Sequence, residues 1–283
     1  MEFISESISD RLAFAASVFV SVNEHQKENY SGQQTKRFND RCNSMIGVIT
    51  YPGSDATELV QALERLNAGP IVTNSADELE QCEGVILTGY KNAAYSMDEL
   101  RSNDLDAWLT STRKPVLAIC MGMHLLYETI CDPDAAPEIR NSGQVNGEVA
   151  KNGEVATTGA TAPIVPEQFK GLGLMPGTLK KFHPDDAKIP HMGWKRLEFH
   201  GRHPLTKGLN QKQFLYYIHD EYAIRNEYTL ATSCYIKDFA AIIAKDNIMG
   251  TQFHPEKSGA AGSHILQNFL EIAKRVRVAA GDE

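Results

Sequence analysis

Paired cysteine chemistry is missing from this sequence. Its five cysteines (Cys42, Cys82, Cys120, Cys131 and Cys234) are odd in number and scattered, and none stands in a C-x-x-C pair. A disulfide scaffold and a structural zinc site are therefore not expected, and no spacing calls for a metal or cofactor. A reducing, cytoplasmic setting fits best, where a single well-placed cysteine deserves weighing as a nucleophile. An excess of positive charge is also missing: 28 Lys and Arg face 36 Asp and Glu, for a net −8. That balance suits solubility and argues against a general nucleic-acid binder. No apolar run approaches the length needed to cross a bilayer. Residues 12–22 (LAFAASVFVSV) have the length of an export signal, but the leader MEFISESISD is acidic where such signals are positive. A short helix or strand packed on the domain is the expectation there. There is no internal repeat.

What is present reads as an ordinary globular α/β protein, 42% apolar and 23% charged. Residues 1–44 end in a polar stretch and read as an extension of unassigned role, leaving 45–283 as the domain. MIGVITY opens it as a buried strand, followed by a Pro52-Gly53-Ser54-Asp55 turn in which Ser54 or Asp55 can cap a helix. That helix presents Leu59, Val60, Leu63 and Leu66 on one face. PIVTN, GVILTG and PVLAIC are further short strands, with one helical stretch near 96–112. Strands alternating with helices predict an open, mostly parallel sheet covered by helices on both faces, a flavodoxin-like arrangement. The small, polar text of about 131–168 predicts a long surface loop. Beyond it lie LGLMPGTLKKF, the strand-like runs QFLYYIHDEY, TLATSCYI, FAAIIAK and IMGTQF, and a C-terminal helix HILQNFLEIAKRV.

The chemistry-bearing text is PVLAICMGMHLLYET. An apolar strand ends at Cys120 and a helical pattern starts at once, running through Met121, Leu125, Leu126 and Glu128. In open parallel sheets ligands bind beyond the carboxyl ends of strands, so a nucleophile on such a turn is exposed at the catalytic edge. Ala118 and Gly122 are small, as a strained strand-to-helix turn requires. Free N–H groups at the helix start favour a thiolate and can hold an oxyanion. Alone, a strand-end cysteine is equally consistent with a buried structural thiol. GTQFHPEKS shifts that balance: His254 follows an apolar run, Pro255 breaks it, and Glu256 is placed to hold the imidazole in one tautomer.

A G-x-C-x-G elbow followed much later by F-H-P-E is the pattern of class I glutamine amidotransferases, which this chain resembles from Met45 to about Val276, with Ala118 in place of the first glycine of the elbow. Within that family, KIPHMGW (188–194) and GLGLMPG (171–177) are similar to the glutaminase branch serving imidazole glycerol phosphate synthases in histidine biosynthesis. The resemblance implies Cys120, His254 and Glu256 as a catalytic triad. It implies an oxyanion hole from Gly89, Tyr90 and the Met121 N–H, and substrate contacts from Gly122, His124, His219, Asp220 and Glu221. It also implies glutamine as substrate and a (β/α)8-barrel synthase subunit as partner in a heterodimer. Met192, Trp194, Tyr216 and Lys257 match positions at that junction, although Trp194 and Tyr216 also read as core aromatics.

Four further segments depart from the family's pattern. The oxyanion segment, usually P-G-V-G, is Thr88-Gly89-Tyr90-Lys91, with a lysine where a flexible glycine is usual. His124 replaces a substrate-contacting glutamine. His219-Asp220-Glu221 replaces H-S-Y, and two acids there would repel a substrate carboxylate unless turned away. Pro52-Gly53-Ser54-Asp55 replaces a G-N-L loop. A divergent amidotransferase or γ-glutamyl hydrolase acting on another metabolite or sugar, and an inactive assembly subunit, therefore stand as alternatives.

Overall fold

A computed structural model describes residues 44–131, 168–182 and 188–281. The expectations for residues 1–43, including the apolar run 12–22, and for the interior of the 131–168 loop lie outside the described residues. Ser44 already belongs to the first strand.

The central sheet has eight strands in the order β2-β1-β3-β4-β14-β13-β12-β9. β1 (Ser44–Ile49), β2 (Ala68–Val72), β3 (Gly84–Leu87), β4 (Val116–Ile119) and β14 (Ile248–Thr251) run parallel. β13 (Asp238–Lys245), β12 (Thr229–Cys234) and β9 (Glu198–Phe199) extend the sheet antiparallel. The sheet is thus open and parallel over its larger part, as the alternation of strand and helix predicts. β5 (Tyr127–Cys131), β6 (Gln168–Lys170), β7 (Met175–Lys181) and β11 (Glu221–Ala223) form a second sheet. β8 (His191–Arg196) and β10 (Phe214–His219) form a two-stranded antiparallel ribbon.

Strand period 2 divides the apolar side chains between two cores. Ile46, Val48, Ile86 and Leu117 face α1 (Thr57–Arg65) and the long α6 (Gly259–Gly281), meeting Leu63, Ile265 and Phe269. Val85, Leu87, Val116 and Ala118 face the other way. They meet Leu79 of α2 (Ala76–Glu80), Met97 of α3 (Ala93–Ser102), Leu109 of α4 (Leu105–Ser111) and Met123 of α5 (Met121–Leu125).

Several local expectations are corrected. Neither Ser54 nor Asp55 is the N-cap of α1, which is Ala56 without a side-chain cap bond; Asp55 Oδ1 accepts the Thr57 N–H at 2.8 Å from one residue further out, while Ser54 Oγ accepts the Tyr51 N–H. The burying face of α1 is Leu59, Ala62 and Leu63, with Val60 only half-buried. The helical stretch near 96–112 is two helices, broken where Asp104 takes a left-handed φ of 56°. α2 is a helix too short for its period to register in the sequence. The helix after Cys120 lasts only five residues and does not reach Glu128, which lies in β5. The segment GLGLM takes over its end: the Leu172 N–H donates to Leu125 O at 2.8 Å and the Met175 N–H to Leu126 O at 2.9 Å. Carbonyls that would have continued the helix are satisfied there, and the chain turns into β5.

Candidate active site

Cys120 stands between β4 and α5 with φ +51° and ψ −110°, a backbone that L-residues adopt only under strain. Its N–H donates to Thr251 O at 2.7 Å, which ties the turn to the end of β14. The turn also needs Gly122, because a Cβ there would lie 2.1 Å from Leu87 O and 2.9 Å from Thr88 O. Gly89 is packed nearly as tightly, with space for a Cβ only 2.4 Å from Met121 Cγ. Small residues at these two points let the nucleophile turn and the loop after β3 approach each other.

β14 runs beside β4, so the chain leaving it carries His254 to the same edge. The His254 N–H donates to Tyr216 O at 2.9 Å, and Pro255–Lys257 form a 3-10 turn. His254 Nδ1 lies 2.7 Å from Glu256 Oε1. A carboxylate only accepts at neutral pH, so Nδ1 carries the proton and Nε2 is left free. Burial alone would push the Cys120 pKa up. Hydrogen bonding and charge contact with His254 outweigh that, aided by His124 and the Met121 N–H, and hold it below the usual thiol value. Burial likewise works against a charged His254, but Cys120 and Glu256 carry its pKa well above the ordinary imidazole value. A thiolate–imidazolium pair is the state these contacts favour.

A cavity of about 210 Å³ opens on this pair, lined in part by Asp55, Glu58, Tyr90, Cys120, His254 and Lys257. Met121 and Gly89 are also in its wall. Tyr90 lines the cavity too, but its N–H donates to Ser96 Oγ at 3.0 Å, whose hydroxyl returns a bond to Tyr90 O at 2.9 Å. Lys91 takes φ +57°, where the glycine usual in the family would sit without strain. Its ammonium lies 4.4 Å from the Tyr95 ring centre.

None of the five residues expected at the substrate is in the cavity wall. Gly122 is consumed by the turn. His124 is 1% exposed, with Nε2 2.7 Å from Gln252 Oε1 and Nδ1 3.6 Å from Glu221 Oε2, an ion-pair distance just beyond hydrogen bonding. His219 is buried, its Nδ1 2.7 Å from Glu221 O and its Nε2 2.9 Å from His191 Nδ1. Asp220 turns outward to Lys181 at 3.8 Å. The two acids that would repel a carboxylate are both occupied elsewhere. Sequence reasoning missed Gln252 and Ser96 and read Asp55 only as a helix cap and loop residue; the importance of these polar residues comes from where the fold sets them.

Of the four residues expected at a subunit junction, Met192, Trp194 and Tyr216 lie on the β8–β10 ribbon. On the β8–β10 ribbon Trp194 pairs with Tyr216 and Met192 with Ile218. Met192 is 60% exposed, Trp194 51% and Phe214 47%, so Trp194 is not a core aromatic. Lys257 lies at the cavity mouth, 2.5 Å from Glu58.

The chain belongs to the class-I glutamine amidotransferase family, whose model matches residues 53–273. Its relatives include the imidazole glycerol phosphate synthase subunit HisH of Colwellia psychrerythraea, 35% identical over 211 residues and covering 75% of this chain and 85% of the relative. HisH of Geobacillus kaustophilus is 34% identical over 239 residues, covering 81% and 97%. Among solved structures, a glutamine amidotransferase superposes with TM-score 0.52 at 17% identity, over 81% of this chain and 98% of that one. The glutaminase domain of Trypanosoma brucei CTPS superposes with TM-score 0.51 at 12% identity, over 82% and 94%. At such identities the two structures speak for the fold alone.

Proposed function

We propose that this chain is the glutaminase subunit of an imidazole glycerol phosphate synthase. The Cys120 thiolate attacks the side-chain amide carbon of glutamine, and the oxyanion that forms is held by the Met121 N–H and the Gly89–Tyr90 loop. His254, oriented by Glu256, protonates the departing ammonia. The same imidazole then takes a proton from water, which cleaves the γ-glutamyl thioester to glutamate and restores the thiolate–imidazolium pair. The ammonia passes to a (β/α)8-barrel synthase subunit that makes imidazole glycerol phosphate and the aminoimidazole carboxamide ribotide.

The observation that carries the reading is the way the apolar ribbon is wired to the triad. β10 presents Phe214 and Tyr216 outward, while its backbone accepts from the His254 N–H at Tyr216 O and lies 3.5 Å from Cys120 Sγ at Ile218 O. A partner seated on this ribbon presses on the strand that holds both reacting groups. The relatives' HisH identity supports the pathway assignment. Glutamate release should be weak alone and rise strongly with the barrel subunit and its ligand, and Cys120→Ala should abolish it. Undiminished hydrolysis in that variant would end the proposal.

The engagement of the Tyr90 N–H with Ser96 also suits a second reading, an assembly subunit that has lost turnover. A diazo ketone analogue of glutamine separates the two: covalent labelling of Cys120 in the presence of the partner supports the enzyme, and resistance supports the assembly role.

A further inference from the structure

Behind the triad lies a second set of buried polar groups that the proposed mechanism leaves unused. Gln252 is fully buried, His124 is 1% exposed and Glu221 is 8% exposed. Groups of this kind are costly to bury without partners, and His124 Nδ1 has no hydrogen bond, only the Glu221 carboxylate at ion-pair distance. His124 Nε2 is 2.7 Å from Gln252 Oε1, and the other edge of the same carboxamide puts Nε2 4.0 Å from Cys120 Sγ. An amide oxygen can only accept, so His124 Nε2 carries a proton and fixes which edge of the carboxamide meets the sulfur. Glu221 lies 3.6 Å from the opposite ring nitrogen and favours the doubly protonated ring. Three elements contribute: α5 gives His124, the end of β14 gives Gln252 and β11 gives Glu221. The other ionisable groups bearing on His124 are Cys120 on its own turn and His219 from β10.

We propose that His124 and Glu221 are positioning residues that hold the Gln252 carboxamide with its N–H2 edge towards Cys120, giving the sulfur a donor that is not part of the cavity wall. The inference rests on Cys120 being the nucleophile. It assigns the histidine at this position to the sulfur's own environment, not to contact with glutamine.

The test is the pH profile of Cys120 alkylation by iodoacetamide in the full chain, read at the Cys120 peptide by mass spectrometry. This readout needs neither glutamine nor a partner. Gln252→Glu keeps the size and the acceptor for His124 but replaces the N–H2 with an oxygen. It should move the profile upward by about one pH unit or more, slowing alkylation about tenfold on the acid side. His124→Leu should shift it in the same direction. An unchanged profile in a folded Gln252→Glu protein overturns the proposal. If the variants do not fold, nitrogen NMR of the wild-type imidazoles decides: a proton on His124 Nε2 upholds the arrangement, and a bare Nε2 overturns it. His254→Asn separates the two levels. A profile that ignores this substitution removes the nucleophile reading itself. One that responds to His254→Asn but not to Gln252→Glu removes only the positioning role.

Discussion

Cys120 combines a strained backbone with a half-buried sulfur, and its neighbours compensate for both. The strain is tolerated because the Cys120 N–H is bonded to Thr251 and because nothing larger than hydrogen occupies position 122. Gly122→Ala would drive a methyl group into Leu87 O, a backbone atom that cannot swing aside. The expected loss is about 3 kcal/mol of stability by urea denaturation, with Cys120 alkylation also perturbed. A loss within about 0.5 kcal/mol would mean that the turn relaxes freely. The sulfur's charge has a sign that can be checked. Since its pKa lies below the ordinary thiol value, alkylation should remain fast below the reference of about 8.5 and fall only as pH drops through the lowered value. A profile centred at or above that reference would contradict the thiolate–imidazolium pair.

At the scale of elements, the two strands of the β8–β10 ribbon are joined to each other by an imidazole pair with fixed tautomers. Glu221 O can only accept, so His219 Nδ1 donates to it, and His219 Nε2 must then accept from His191 Nδ1. A further proton on His219 would meet a donor already in place. Burial first, and then neighbouring imidazoles, push the His219 pKa down to about 3 from 6.5, while its bond to Glu221 O works the other way. Below 6.5 the unfolded chain therefore binds a proton that the folded chain refuses. The stability linked to this group is complete above that pH and is lost as pH falls towards about 3. The urea midpoint should drop between pH 7 and pH 4.5, and His219→Gln should narrow the gap. Equal gaps in variant and wild type would dismiss His219 as the cause.

For the molecule as a whole, the active edge and the apolar ribbon are one surface problem. Met192, Trp194 and Phe214 remain exposed although the chain has two well-filled cores to receive them. An exposed patch of this kind beside a catalytic cavity calls for a protein partner. Trp194→Ala should weaken binding to the proposed barrel subunit about tenfold or more in calorimetry, while partner-free alkylation of Cys120 stays as in wild type. Unaltered affinity would move the docking surface elsewhere. Lys257, joined to Glu58, lines the cavity itself.

The sequence by itself determined the architecture, because strand and helix periods are written locally in runs such as PVLAIC and GVILTG and in the apolar face of the helix after Asp55. It also determined which cysteine and which histidine to weigh, since a turn between strand and helix and a proline after a strand leave clear marks. It did not determine that α5 stops after one turn, because the groups that end it arrive from Leu172 and Met175, nearly fifty residues away. Nor did it determine where His124 and Glu221 point. Both match positions where the family contacts substrate, yet the fold buries them against Gln252 behind the sulfur. A side chain's direction depends on what other elements leave open around it, and that was decided only when β11 and β14 packed beside the nucleophile turn.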